Sequence, residues 1–249
     1  MRTAVIVAAG LGSRLGNHTK AQPKGFLQVE GQTLIDRSLA RIIKAGITRV
    51  VIGTGYHASF YEALVERYEG TLQIDTLRSD RYETTSSMYT LYNLRSILDE
   101  DFILLESDII YEQYALEALV NDPRRDSMLV SGFTASRDEV WVEIDANGNL
   151  NAVSKDPTAL SPIHGELVGI TKISRDAYRL ACGVMEAALE TNPKLDYEGC
   201  LAQVSREGHP FPVLKVDDLA WCEIDDEGHI ERAVTKILPQ IRANDANRG

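Results

Sequence analysis

The sequence predicts an α/β fold in which a mostly parallel sheet is flanked by helices. Short β-branched runs alternate with longer segments at helical spacing through the first half of the chain. The first run, Thr3–Val7, passes directly into the glycine-rich stretch Ala8-Ala9-Gly10-Leu11-Gly12-Ser13-Arg14. A later apolar run, Phe102–Leu105, ends in Glu106-Ser107-Asp108. Alternating strands and helices build parallel sheets, and ligands bind such sheets at the carboxyl ends of the strands. Gly10 and Asp108 both lie just past strand ends, so the expected fold is Rossmann-like with both facing one crevice.

The elements follow in order. Ala4–Val7 reads as a buried strand. Leu34–Lys44 reads as a helix, because Leu34, Ile35, Leu39, Ile42 and Ile43 fall at helical spacing, and Gly46 stops it. Arg49–Gly53 is a strand, Ser59–Tyr68 a helix with Ser59 as its cap, Leu72–Thr76 a short strand, and Ser86–Leu98 a helix. After Asp126 the texture turns β-rich. Ser127–Thr134, Val140–Ile144 and Asn149–Ser154 are strand-like, with Asn147-Gly148 as a hairpin turn. Glu166–Ile173 (strand), Arg175–Thr191 (helix), Leu201–Glu207 (helix), Phe211–Val216 (strand) and Ile230–Ile241 (amphipathic helix) complete the chain. The expected organisation is a single domain over 1–241 with a smaller β-rich lobe within about 127–222, then a polar tail, 242–249, expected to fray.

Composition excludes several classes. A chain of 249 residues can bury a sizeable core. A net charge of −11, from 26 basic and 37 acidic residues, is the wrong sign for a general nucleic-acid or anionic-membrane surface. Arg14, Lys20 and Lys24 still concentrate positive charge beside the glycines, which suits an anionic nucleotide. Cys182, Cys200 and Cys222 are odd in number, far apart and in no C-x-x-C pair, so reduced thiols in a cytoplasmic protein are expected rather than a zinc site. The N-terminal apolar run is too short for a secretion signal, and no apolar window is long enough to span a membrane.

The glycine loop is neither of two common nucleotide motifs. No G-x-x-x-x-G-K-[ST] follows Val7. Gly10, Gly12 and Gly16 are spaced one residue too wide for the dinucleotide fingerprint, and Glu30 closes the next strand-like run instead of standing where a ribose-binding acid belongs. A tight turn would explain the glycines alone. Arg14 and Pro23-Lys24-Gly25 favour a polyphosphate cradle, in which close backbone approach is combined with fixed positive charge.

Ala8-Ala9-Gly10-Leu11-Gly12-Ser13-Arg14-Leu15 followed by Pro23-Lys24-Gly25 resembles the signature of nucleotidyltransferases that activate small phosphorylated compounds with a nucleoside triphosphate. Four further segments extend the resemblance over nearly the whole chain: Thr84–Tyr92, Glu106-Ser107-Asp108, Val153-Ser154-Lys155-Asp156 and Trp221–Asp226. They are similar to the cytidylyltransferase branch, which includes the phosphocholine enzymes, and most similar to 2-aminoethylphosphonate cytidylyltransferases. The resemblance implies CTP as the nucleotide, Mg2+ as the metal and a small phosphonate or phosphoryl alcohol as the acceptor. It places the metal on Asp108 and Asp225, with Glu223 as a substitute. It puts Lys24 and Arg14 on the triphosphate and Lys155 on the acceptor's phosphoryl group. Nucleotide contacts are expected from Ala8, Ala9, Gly10, Gly12, Ser86 and Ser87, although Thr84–Ser87 would equally serve as a helix cap.

The residues support parts of this scheme independently. If the stretch is extended, Trp221, Glu223 and Asp225 share a face, and Asp226 points away or caps the next helix. Tyr89, Glu166, Asp196, Tyr197 and Glu198 are the candidate acceptor contacts. A quaternary ammonium favours an aromatic cage, whereas a primary ammonium has three donors and wants carboxylates. Asp196-Tyr197-Glu198 offers two acids and one ring, and Glu198 and Val140 depart from the phosphocholine pattern. Trp141, Tyr89 and Tyr111 could still form a partial cage, and Asp196 and Glu198 could simply cap a helix. The expected activity is transfer of CMP from CTP to 2-aminoethylphosphonate with release of pyrophosphate. Phosphocholine, another small phosphoryl alcohol or a sugar 1-phosphate is the alternative acceptor, and a catalytically silent nucleotide sensor is the alternative from another class. Oligomeric state is not legible.

Overall fold

A computed structural model describes residues 1–248. In chain order the elements are β1 (Thr3–Ala8), β2 (Gln28–Val29), β3 (Gln32–Thr33), α1 (Leu34–Lys44), β4 (Arg49–Thr54), α2 (Ala58–Arg67), β5 (Gln73–Arg78), α3 (Ser87–Asn93), β6 (Phe102–Glu106), β7 (Ile109–Tyr111) and α4 (Gln113–Asn121). There follow β8 (Ser127–Ser131), β9 (Trp141–Ile144), β10 (Leu150–Ser154), β11 (Gly165–Ile173), α5 (Arg175–Ala188), α6 (Tyr197–Arg206), β12 (Val213–Val216), β13 (Trp221–Glu223), α7 (Glu227–Arg232) and α8 (Leu238–Arg248).

The α/β architecture is the one the sequence predicts. One sheet runs β10-β9-β11-β6-β1-β4-β5, with β8 against β11 and β12 against β8. Strands β6, β1, β4 and β5 are mutually parallel. β11 runs antiparallel to β6 and carries the sheet onward into the β-rich half. Period-two alternation divides β1 between two cores. Ala4 and Ile6 pack with Ile35, Leu39 and Ile42 of α1, while Val5 packs with Met88 and Leu91 of α3 and with residues of α5 and α6. Burial of each such valine, leucine, isoleucine or methionine side chain contributes roughly 1.5–3 kcal/mol. This packing fixes the sheet so that the ends of β1 and β6 open side by side.

Several boundaries differ from expectation. α2 starts at Ala58, with left-handed His57 (φ 52°) at its N-cap and no side-chain cap bond, so Ser59 is not the cap. His57 is held there by its ring on the Lys20 carbonyl at 3.1 Å. α3 is shorter than expected, and a tight turn, Leu94–Ser96, replaces its end. α6 begins at Tyr197 rather than Leu201. β7 and α4 have no counterpart in the sequence reading. The segment expected to fray is helical through Arg248 because it is tied down. Asp245 accepts from the Gln113 amide at 2.8 Å and pairs with Arg41 at 3.0 Å, and Arg248 pairs with buried Glu112 at 3.0 Å. Gly249 lies outside the described residues. Among the described residues no helix is long and apolar enough to cross a membrane.

Candidate active site

Four strand ends and two loops converge on a cleft of about 400 Å3. Its floor is the loop after β1. Ala8, Ala9, Gly10, Gly12 and Arg14 all line it. Gly12 has φ 61°, and a Cβ there would meet Thr19 Cγ2 at 3.0 Å and Lys24 Cβ at 3.4 Å. Only glycine combines that dihedral with that clearance. The turn it permits, Ser13–His18, aims Arg14 across the cleft.

Asp108 and Asp225 are far apart in the chain and meet through a two-stranded ladder. β13 pairs antiparallel with β7, placing Glu223 opposite Ile109, and the Ile224 amide donates to the Asp108 carbonyl at 2.9 Å. Lys24 Nζ sits between the two carboxylates. It lies 2.6 Å from Asp108 Oδ2, in direct contact with Asp225 Oδ1, and 3.9 Å from Glu223. Lys24 is about nine-tenths buried. Burial opposes its charge, but Asp108 and Asp225, then Glu223, outweigh burial and raise its pKa above the ordinary lysine range. Asp226 turns away and caps α7 through the His229 amide at 2.8 Å, as the alternation predicts.

Asp138 was not legible in the sequence. Its carboxylate takes Arg14 at 2.5 Å and Lys155 at 2.9 Å, while the second Arg14 nitrogen reaches Asp225 at 2.8 Å. Burial alone would raise the Asp138 pKa, yet the hydrogen bonds it accepts from Lys155 and Arg14 pull it well below the usual carboxylate range. The contact with Arg14 spans 124 positions. No local pattern around Ser136-Arg137-Asp138 announces it.

The acceptor candidates divide into two groups. Lys155, Asp196 and Glu198 line the cleft together with Ser86 and Ser87. Asp196 occupies the N-cap of α6 without capping it. Instead it accepts from the Ser86 hydroxyl and, at 3.3 Å, from the Ser87 hydroxyl. Tyr89, Glu166 and Tyr197 do not line the cleft. Tyr89 is buried, its hydroxyl 3.3 Å from Asp80. Glu166 lies within the sheet and accepts from the Thr134 amide at 2.6 Å. Tyr197 is buried behind the wall and donates to Glu106 at 2.9 Å. The partial cage does not assemble either. Tyr111 is buried, and Trp141 packs edge-on against Phe133, so the rings lining the cleft are Tyr61 and Tyr82.

Glu106 is the second residue the sequence reading left without a function. It lines the cleft from the end of β6. Gly169, at φ 80° in β11, makes room for it, since a Cβ there would lie 2.8 Å from Glu106 Oε2. Burial, then Asp108, raises the Glu106 pKa to about 7. Burial, then Asp196 and Glu106, raises that of Glu198 to about 8. Burial, then Asp108, raises that of Glu223 to about 10.

Carboxylate oxygens of Asp138, Glu223 and Asp225 lie within 4.8 Å of one another, as do those of Glu106, Asp108 and Glu223. The donor set fits a hard divalent cation, which binds carboxylate oxygen and retains positions for phosphate and water.

Cations around a glycine loop, opposed by strand-end carboxylates, are what a nucleotidyl transfer site requires. The chain belongs to the MobA-like NTP transferase domain family, which matches residues 4–140. The CMP-5'-(3-aminopropyl)phosphonate synthase of Streptomyces rubellomurinus is 27% identical over 245 residues, which cover 95% of this chain and 39% of that protein. The 2-aminoethylphosphonate cytidylyltransferase of Lancefieldella rimae is 23% identical over 238 residues, 91% of this chain and 93% of the other. The fold is shared with the inositol-1-phosphate CTP transferase from T. maritima, at a TM-score of 0.82 and 17% identity over 97% of this chain and 96% of that one.

Proposed function

We propose that this nucleotidyltransferase is a magnesium-dependent cytidylyltransferase that transfers CMP from CTP to 2-aminoethylphosphonate. The observation that carries this reading is the mixed charge of the cleft lining. Arg14, Lys24 and Lys155 line the cleft together with Glu106, Asp196 and Glu198, and Tyr89, Tyr111 and Trp141 form no cage there. The three cations, taken as the phosphate wall, suit phosphate and phosphonate oxygens, and the three acids, taken as the acceptor wall, suit a primary ammonium. The names of the two phosphonate-linked relatives agree with this choice.

An ionised phosphonate oxygen of the acceptor attacks the α-phosphorus. The new O–P bond forms as the bond to the β-phosphate oxygen breaks, and pyrophosphate leaves. The nucleophile is already deprotonated near neutral pH, so no general base is needed. Lys155 orients the phosphonate. Arg14 holds the outer phosphates with its planar fork, and Lys24 faces the charge that develops at the α-phosphate. Asp108 and Asp225, with Glu223 beside them, would hold Mg2+, which when bound neutralises charge on the triphosphate. Pyrophosphate release from CTP and Mg2+ with a panel of acceptors tests the reading. The expected order places 2-aminoethylphosphonate far above phosphocholine. Equal or better use of phosphocholine overturns the acceptor assignment, and no release with any acceptor overturns the enzyme.

A further inference from the structure

His229 stands outside the set of groups used above, and both of its ring nitrogens are engaged. Nδ1 accepts from the Asp225 main-chain amide at 3.1 Å, and Nε2 lies 3.1 Å from the Ser136 carbonyl. Nδ1 is therefore the acceptor of the pair and Nε2 the donor, since a carbonyl oxygen can only accept. The side chain is buried, and its own amide is fixed by Asp226 at the start of α7. Its two partners belong to the two segments that present the acids gripping Arg14. Asp225 follows β13, and Ser136 lies in loop 132–140 beside Asp138. That loop holds two left-handed residues, Ala135 and Arg137 at φ 56° and 76°, and is tied elsewhere by the Thr134 amide on Glu166 at 2.6 Å and the Leu167 amide on the Val140 carbonyl at 2.9 Å. Arg14 bridges the two carboxylates, at 2.5 Å from Asp138 and 2.8 Å from Asp225.

We infer that His229 is a positioning residue that ties the Asp225 main chain to loop 132–140 and thereby sets the Asp225–Asp138 separation across which Arg14 is held. Without this tie, the Asp225–Asp138 separation rests on the Ile224–Asp108 backbone bond and on the ion pairs that Arg14, Lys24 and Lys155 make with the two carboxylates. A displacement of about 1 Å in a group that orients reacting atoms can cost on the order of 100-fold in rate. The inference rests on the proposed function, since it concerns the carboxylate assigned to the metal and the arginine assigned to the triphosphate.

Three substitutions separate the two contacts. His229→Asn retains an acceptor near the position of Nδ1, His229→Gln retains a donor near Nε2, and His229→Leu retains neither. Each variant is assayed for kcat and for KM toward CTP, for thermal melting, and for binding of Mn2+ alone by electron paramagnetic resonance. His229→Leu is expected to lower kcat/KM about 10- to 100-fold while still melting cooperatively. Asn is expected to restore Mn2+ affinity, because it restores the Asp225 contact. Gln is expected to restore KM for CTP, because it restores the Ser136 contact on the Asp138–Arg14 side. Wild-type kinetics and Mn2+ affinity in His229→Leu overturn the inference. So does equal impairment of all three variants in step with their loss of melting temperature, which marks a purely structural contact. Asp225→Ala is the control. If it binds Mn2+ and turns over as wild type, the proposed site has failed. If it fails and His229→Leu does not, only the inference about His229 has failed.

Discussion

The carboxylates of the cleft are held in opposite ways according to their neighbours. On the phosphate wall Asp138 is held well below the carboxylate range, since Lys155 and Arg14 donate to it, and Lys24 stands between Asp108 and Asp225, while Glu223 beside them is pushed up to about 10 by burial and by Asp108. On the acceptor wall Glu198 and Glu106 are pushed up to about 8 and about 7 by burial and by neighbouring acids. Asp138 is preorganised by cations that bond it directly. Lys155 acts on Glu198 and Lys24 on Glu106 without offsetting burial and the neighbouring acids, and a cationic ligand can supply the missing charge. Burying an unpaired carboxylate is costly, so a wall kept in this state selects for what neutralises it.

The largest expected effect comes from breaking the phosphate wall at its carboxylates. Asp108→Ala and Asp225→Ala should each lower kcat on the order of 1,000-fold, with melting little changed. Steady-state rates at saturating Mg2+ check this, and near-normal turnover in either variant removes that residue from the site.

Removal of the buried cation should cost somewhat less. Lys24→Ala is expected to lower kcat about 100-fold and Lys24→Arg to lose less, because the arginine retains charge but not the compact ammonium. Arg14→Ala should chiefly weaken CTP binding. Binding titration against single-turnover rate separates the two. Unchanged rate and affinity in both alanine variants would leave the loop a structural turn.

The acceptor wall should respond in selectivity rather than in rate. A site built to hydrogen-bond an ammonium leaves its acids unpaired against a trimethylated head. Glu198→Gln or Glu198→Trp should narrow the ratio of kcat/KM for 2-aminoethylphosphonate over phosphocholine, by about tenfold. An unchanged ratio places the ammonium elsewhere.

The same contrast explains what could be read from the sequence. The loop from Ala8 to Arg14, Lys24, and the strand end at Asp108 declare themselves through neighbours in the chain, namely an apolar run and glycines, whereas Asp225 rests on the family resemblance, the period of two saying only that it shares a face with Glu223. α1 was legible to its ends for the same reason, since its apolar stripe and the stopping Gly46 are local; the Thr33 side chain, which caps it by accepting from the Asp36 amide, is not singled out in the sequence reading. Asp138 was not legible, because its partners Arg14 and Lys155 come from other elements and its own loop has no periodicity. Tyr197, expected as the one ring beside two acids, is buried behind the cleft with its hydroxyl donated to Glu106. Asp196, expected as an acceptor contact with helix capping as the alternative, sits at a cap position, yet its carboxylate accepts from Ser86 and Ser87. Direction of a side chain at a helix start depends on what packs opposite, and that is tertiary information.

The smallest expected effect is on stability, and it tests the acceptor wall without any assay of turnover. Glu198 titrates near 4.5 when unfolded and at about 8 in the fold. Between those values the folded state holds a proton that the unfolded chain releases, so stability falls as pH rises through this window and the contribution is gone above the folded value. Glutamine cannot ionise. Glu198→Gln should therefore differ least from wild type in its own pH trend near pH 4.5 and gain on it steadily toward pH 8, ending a few degrees ahead in melting temperature. Adding 2-aminoethylphosphonate at the upper pH should reverse the order, because the ammonium pairs with the ionised Glu198 of the wild type and finds no charge in the variant. Melting curves that stay parallel from about pH 5 to about pH 9 would show that Glu198 is fully solvated. The acid wall would then have no charge to be relieved of, and its preference for a primary ammonium would lose its physical cause.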